Sequence, residues 1–149
     1  MTTDSPDANM FSHHDIHELL GVTVVEATTE RVVLSLPVTW KVHQAYGILH
    51  GGVSALLAES AASFGAGISA GADRRVVGIE LNASHLRGLR EGTLTATATP
   101  VRKGRTVQVW EILLTDDAGR EICISRCTLA VLPPDAAGGL EVPERGTEG

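Results

Sequence analysis

Glu59 is the one formally charged side chain between Lys41 and Asp73, and it stands inside a run of helix-forming apolar residues. The run reads His50-Gly-Gly-Val-Ser-Ala-Leu-Leu-Ala-Glu59-Ser-Ala-Ala-Ser-Phe-Gly, and nothing from Val53 to Phe64 breaks a helix. A helix apolar on nearly every face is expected to be buried, and a buried carboxylate is costly unless paired or protonated. A carboxylate kept at that cost can attack an activated acyl carbon or take a proton from water. A structural glutamate satisfied by a neighbouring donor is the competing reading, and the residues around Glu59 weigh against it. Ser63 follows four residues later on the same helix face, where a hydroxyl can hold a water molecule. His50-Gly51-Gly52 opens the helix, whose first N–H groups have no internal partner and carry the positive end of its dipole. Glycine there lets a carbonyl oxygen approach, so the terminus can polarise a carbonyl and stabilise an oxyanion. The preceding loop adds Gln44, a donor to a carbonyl, and His50, which can hydrogen-bond at the helix entry.

Other chemistries find less support. His13, His14 and His17 lie in a frayed-looking N-terminal segment without a carboxylate or cysteine at ligand spacing, so a surface role is expected and no metal site. No Gly-x-Ser-x-Gly elbow, phosphate-binding loop or dinucleotide fingerprint occurs, and no cofactor is expected. Cys123 and Cys127 share one face of a strand and read as small core residues rather than a disulfide.

At 149 residues the chain is one domain able to bury an ordinary core. Met1 to Asn9 is polar and acidic, without signal-peptide character, and no apolar run of membrane-spanning length is expected, so the reading is a cytoplasmic protein with no membrane partner. The net charge of −6 argues against nucleic acid, yet Arg74 to Arg105 holds seven basic residues against two acidic ones. That segment carries +5, which leaves −11 for the rest. A basic patch on an acidic chain suits a small phosphorylated ligand, or else a solvated face on edge strands.

Residues 1–12 read as disordered and His13 to Leu20 as a short helix. Val22 to Ala27 and Arg31 to Val38 form a strand pair turned at Thr28-Thr29-Glu30, and a loop from Thr39 to Leu49 leads to the Glu59 helix. That helix should end in the glycine-rich segment Gly65 to Ala72. Four strands follow: Arg75 to Leu86, with Val77, Ile79, Leu81 and Ala83 on one face, then Thr93 to Thr99, Thr106 to Leu114 and Glu121 to Leu132. Their turns are marked by Lys103-Gly104-Arg105 and Asp116-Asp117-Ala118-Gly119. Pro133-Pro134 stops the last strand, leaving residues 13–132 as the folded domain and a solvated tail. The result is an α+β domain, with one helix covering one face of an antiparallel sheet.

The run Gln44-Ala-Tyr-Gly-Ile-Leu-His50-Gly-Gly-Val-Ser-Ala-Leu-Leu-Ala-Glu59-Ser-Ala-Ala-Ser63 resembles the active-site segment of hotdog-fold acyl-CoA thioesterases. The resemblance continues through Val76-Val-Gly-Ile-Glu-Leu-Asn-Ala-Ser-His85-Leu-Arg, Val109-Trp-Glu and Asp117-Ala-Gly-Arg120, and spans roughly residues 15–132. It is closest to the group acting on aromatic acyl-CoAs, such as 4-hydroxybenzoyl-CoA and 1,4-dihydroxy-2-naphthoyl-CoA; Ser63 looks more like the latter branch, which implies menaquinone biosynthesis. The resemblance implies a hotdog fold, Glu59 as nucleophile or general base, and the Gly51 N–H polarising the thioester carbonyl with Gln44 and His50. Ser63 would orient water or the carboxylate. Gly78 would border the substrate, and His85, Leu86, Arg87 and Gly88 would contact coenzyme A together with Arg102, Lys103, Gly104, Arg105, Thr106 and Val107. Tyr46 and Phe64 flank the site as candidates for the acyl pocket, Phe64 alternatively as core. The basic segment and these contacts then agree. A hotdog-fold enoyl-CoA hydratase and a non-catalytic acyl-CoA-binding protein are the alternatives.

Helix geometry adds an expectation about assembly. Gly51 and Glu59 are eight residues apart, or ~12 Å along one helix. Side-chain lean recovers ~4–5 Å of this, which still leaves more than the ~3.5 Å of a reactive approach. Two antiparallel helices about a twofold axis would join one chain's N-terminus to the other's carboxylate. A homodimer with shared sites is expected, and a homotetramer as a dimer of dimers.

Overall fold

The structure, a computed structural model, describes residues 15–134. The expectations for 1–12, for His13 and His14 and for the tail from 135 onward lie outside the described residues. Asp15 caps a short helix α1 (Ile16–Leu20), and Gly21 closes it with a left-handed φ of 74°. Strands β1 (Thr23–Ala27) and β2 (Val32–Val38) pair across the turn at Thr28, whose N–H donates to the Arg31 carbonyl at 2.9 Å. The loop beyond holds one 3-10 turn (Trp40–Val42) and delivers the chain to the long helix α2 (Gly51–Ala70).

The helix ends at Ala70, inside the segment Gly65 to Ala72 where its end was expected. Within that segment Gly65 is a packing position, because a Cβ there would lie 2.4 Å from Cη2 of the fully buried Trp110. The helix therefore presses its backbone onto the indole, and Gly71 closes it, donating its N–H to the Gly67 carbonyl. The 20 residues of α2 are long and apolar enough to cross a membrane by length and composition, contrary to the sequence expectation. Here they pack on β2 and on the four strands that follow.

Those strands are β3 (Arg75–His85), β4 (Gly92–Lys103), β5 (Val107–Thr115) and β6 (Glu121–Leu132). All pairings are antiparallel, in the order β1-β2-β4-β5-β6-β3, so β1 and β3 form the edges. Alternation in β4 buries Leu94, Ala96 and Ala98 against α2 while the intervening threonines face away. Leu34, Leu36, Leu57, Trp110, Ile112, Leu114 and Leu129 complete the fully buried centre. Cys123 and Cys127 lie in it as free thiols.

β3 departs from the expected pattern. A bulge between Gly78 and Glu80 inserts one residue against β6, which reverses the parity of the strand. Val76 packs on the core before the bulge, Leu81 and Ala83 after it. Val77 and Ile79 are exposed instead of sharing the Leu81 face.

Candidate active site

Glu59 is exposed, not buried as its apolar neighbours suggested. The sheet covers one side of α2, and Glu59 stands on the side left open, in a cleft of about 400 Å³ lined also by Gly52, Ala55, Leu56 and Ser60. Its carboxylate rests against the β3 backbone: a Cβ built on Gly78 would lie 2.3 Å from Glu59 Oε1. Gly78 is thus placed beside Glu59, at the bulge. The charges of Glu59 and Glu80 also reach Cys127, where burial is the largest cause and the two carboxylates add to it, pushing the thiol up to about 11. Ser63 lies one turn beyond Glu59 and is half-buried.

A second cleft, of about 340 Å³, opens at the N-terminus of α2 and gathers Gln44, Gly51, His85, Leu86, Arg87 and Gly88 with Ile48, Leu49, Ser54 and Ile122. His50 caps the helix, its Nδ1 accepting the Gly52 N–H at 2.8 Å. The His85 ring covers Gly51 so closely that a Cβ there would fall 2.8 Å from Nε2. Gln44 turns its Oε1 to the backbone N–H of Tyr46, so its amide NH₂ is the end with donors to give. The strand end beyond β3 is held to β6, Leu86 donating its N–H to the Ile122 carbonyl at 2.8 Å and Arg87 to the same oxygen at 3.3 Å.

The remaining basic residues lie elsewhere. Lys103, Gly104 and Arg105 line a third cleft of about 510 Å³ with Arg74, Gln108, Ser69 and Ala70, at the C-terminal end of α2. The Gly104 N–H donates to the Val107 carbonyl at 2.9 Å, and the Thr106 carbonyl accepts the Val131 N–H at 2.9 Å. Lys103 Nζ is paired with Glu30 and donates to the Thr29 carbonyl. Arg102 is exposed on the same β4–β5 hairpin. Twenty residues of helix separate the two ends by ~30 Å, so one chain does not bring the basic segment into a single patch. Nor does it bring Tyr46 and Phe64 together: Tyr46 is 84% exposed on its loop, while Phe64 packs against the core.

The contact between His17 and Ser60 escaped the sequence reading. His17 is no surface histidine: its side chain is 18% exposed and Nε2 lies 2.8 Å from the Ser60 hydroxyl, on the open side of α2. The short helix expected to Leu20 is α1, capped by Asp15, but no spacing relates residue 17 to residue 60. Among the described residues no group of three His, Cys, Asp or Glu side chains is placed to hold a metal ion.

The description of the thioesterase superfamily matches residues 46–123, which hold the Gly51 terminus, Glu59 and Gly78. The chain belongs to this family. It is 48% identical over 116 residues to a 1,4-dihydroxy-2-naphthoyl-CoA hydrolase of Listeria monocytogenes, covering 78% of this chain and 94% of that one. A hydrolase of the same description from Escherichia coli is 39% identical over 127 residues, covering 85% and 88%. Among solved structures, a variant of a Pseudomonas aeruginosa thioesterase superposes with a TM-score of 0.82 at 40% identity, covering 88% of this chain and 97% of that one. A Haemophilus influenzae thioesterase gives 0.79 at 35%, covering 82% and 85%. The fold is the hotdog fold, and the protein is a thioester hydrolase acting within that superfamily.

Proposed function

We propose that this thioesterase hydrolyses an aromatic acyl-CoA to the free acid and coenzyme A, at sites shared by two chains, with Glu59 as the reacting carboxylate. The observation that carries the reading is the separation of parts within one chain. Glu59 lines one cleft and Gly51 with Gln44 another, each open on the uncovered side or end of α2. A twofold axis that sets two α2 helices antiparallel joins Glu59 of one chain to the Gly51 terminus of its partner. The same operation carries the Arg74, Lys103 and Arg105 end of one helix toward the Arg87 end of the other, which supports a joint cradle for the phosphates of coenzyme A. Edge strand β3, with Val77 and Ile79 exposed, would continue the sheet across the axis.

In the reaction the Gly51 N–H and the Gln44 amide hold the carbonyl oxygen while charge develops on it. As nucleophile, Glu59 bonds to the acyl carbon and the C–S bond breaks, releasing coenzyme A thiolate and an acyl-glutamyl anhydride that water then opens. As base, it takes a proton from water, whose oxygen bonds to the acyl carbon as the C–S bond breaks, and the departing thiolate takes up the proton. Ser63 orients that water or the carboxylate. The 1,4-dihydroxy-2-naphthoyl-CoA hydrolase activity named for the Listeria and Escherichia relatives supports an aromatic acyl group such as 1,4-dihydroxy-2-naphthoyl or hydroxybenzoyl. Two free thiols and a coenzyme A substrate support a cytoplasmic location.

The test uses Glu59→Gln and Gln44→Ala on an acyl-CoA panel. Each variant should fold normally, and Glu59→Gln should lose at least ~10²-fold in turnover. Mixing the two under subunit exchange should restore activity, because each mixed dimer then holds one intact site. Confirmed mixed dimers as inactive as either parent would place the whole site within one chain. Near-native turnover by folded Glu59→Gln would remove Glu59 from the chemistry.

A further inference from the structure

Helix α1 brings to the open side of α2 a set of groups for which thioester cleavage by Glu59 has no use. Asp15 Oδ1 accepts the backbone N–H groups of His17 at 2.9 Å and Glu18 at 3.2 Å. Its Oδ2 lies 3.4 Å from His17 Nδ1, and His17 Nε2 lies 2.8 Å from Ser60 Oγ. The ring also meets Phe64, with centroids 5.9 Å apart. Burial pushes the Asp15 carboxyl up, but the Glu18 and His17 N–H groups and the His17 ring outweigh it and hold the group below its ordinary value.

Carboxylate, imidazole and hydroxyl in this order resemble a hydrolytic triad. Ser60 is nevertheless no second nucleophile. It sits in the middle of α2, where backbone N–H groups are spent on helix hydrogen bonds and none is left to hold an oxyanion. Its position instead suits recognition. Leu56, Ser60 and Phe64 form one stripe along α2, directly beside the Glu59–Ser63 stripe, and Ser60 lines the Glu59 cleft with Ala55 and Leu56. One proton lies between His17 Nε2 and Ser60 Oγ along their 2.8 Å contact, and the remaining hydrogen-bonding capacity of Oγ is left for the cleft that Ser60 lines. A hydroxyl on the acyl group can pair with it, and a hydrogen on carbon cannot.

We propose that Asp15, His17 and Ser60 form a polar wall of the acyl cleft that selects acyl groups bearing a hydroxyl. The proposal rests on the reading of Glu59 as the catalytic carboxylate, since that places the acyl group in this cleft. Ser60 would touch the substrate hydroxyl; His17 and Asp15 are positioning residues acting through it.

The experiment compares kcat/KM for benzoyl-CoA with 2-, 3- and 4-hydroxybenzoyl-CoA in the wild type, Ser60→Ala, His17→Phe and Asp15→Asn. Ser60→Ala leaves a strong helix former in place, His17→Phe keeps an aromatic ring against Phe64, and Asp15→Asn keeps the cap. The wild type should favour at least one hydroxylated thioester over benzoyl-CoA. Ser60→Ala and His17→Phe should each reduce that ratio about 10-fold or more, and Asp15→Asn should reduce it less. No preference in the wild type, or equal losses on both classes of substrate, would overturn the proposal. Glu59→Gln in the same panel separates the two readings: it should slow all four thioesters alike, and full activity in it would sink the catalytic carboxylate whatever the ratios show.

Discussion

Gly78→Ala should disable the enzyme while leaving the fold almost untouched. The added Cβ would lie 2.3 Å from Glu59 Oε1, whereas ordinary contact begins near 3.4 Å, so the carboxylate must retreat by about 1.1 Å. Among the described glycines Gly78 is not one with a left-handed φ, so alanine brings no backbone strain. The atom in the way is the free end of a flexible side chain, and rotating it off its preferred torsion costs ~1 kcal/mol. Replacing glycine inside a strand returns ~0.5–1 kcal/mol, so the two terms nearly cancel. At about 2–4 °C per kcal/mol for a chain of this size, the melting temperature should move by no more than ~4 °C. The reaction is less forgiving. A misplacement of ~1 Å can cost ~10²-fold in rate, or ~2.7 kcal/mol of activation free energy. Thermal melts paired with thiol release from an aromatic acyl-CoA read both quantities. Near-native kcat at an unchanged melting temperature would refute the idea that Glu59 must sit where Gly78 lets it sit. A fall of more than ~10 °C would refute the packing argument instead.

Other perturbations test the frame around the site. Gly65→Ala drives a Cβ to 2.4 Å from the Trp110 ring, whose Nε1 is tied to Gln108 at 2.9 Å; overpacking of ~3 kcal/mol less ~1 kcal/mol of helix propensity should lower the melting temperature by ~4–8 °C. Gly67→Ala, whose nearest neighbour would be Val76 at 3.8 Å, should instead raise it slightly, and melts of the pair moving the same way would contradict this packing. Burial pushes Asp116 up, but the Arg120 and Ala118 N–H groups and the Arg120 guanidinium outweigh it, holding the carboxyl below its ordinary 3.8. The stability this supplies is present above pH 3.8 and lost as pH falls through the lower folded value, so the melting gap between wild type and Asp116→Asn should close in that acid range. Burial raises both thiols, Cys127 to about 11, so native protein at pH 8 should resist a disulfide reagent that labels both cysteines once unfolded; prompt native labelling would contradict the core assignment.

Local pattern determined much of this protein. Alternation of threonine with leucine and alanine specified β4 and its buried face, because side chains on a strand repeat every two residues whatever lies beyond. Alanine and leucine around Glu59, opened by His50-Gly51-Gly52, specified α2 and its N-terminus. What the tertiary structure decided were contacts between residues distant along the chain. Gly65 opens the segment expected to end α2, and the tertiary structure makes it the place where Trp110 packs, 45 positions later in the sequence. One bulge residue in β3 turned Val77 and Ile79 outward, since parity propagates and a single insertion reverses it. Glu59 looked buried because its neighbours are apolar, yet the sheet leaves one side of the helix open, and Glu59 lines a cleft there with its carboxylate against the edge strand β3. The basic run between Arg74 and Arg105 divides between the two ends of α2, because β3 and β4 carry its members to opposite ends of the sheet. His17 meets Ser60 only because α1 folds back across α2, a juxtaposition that no residue spacing encodes and that packing alone creates.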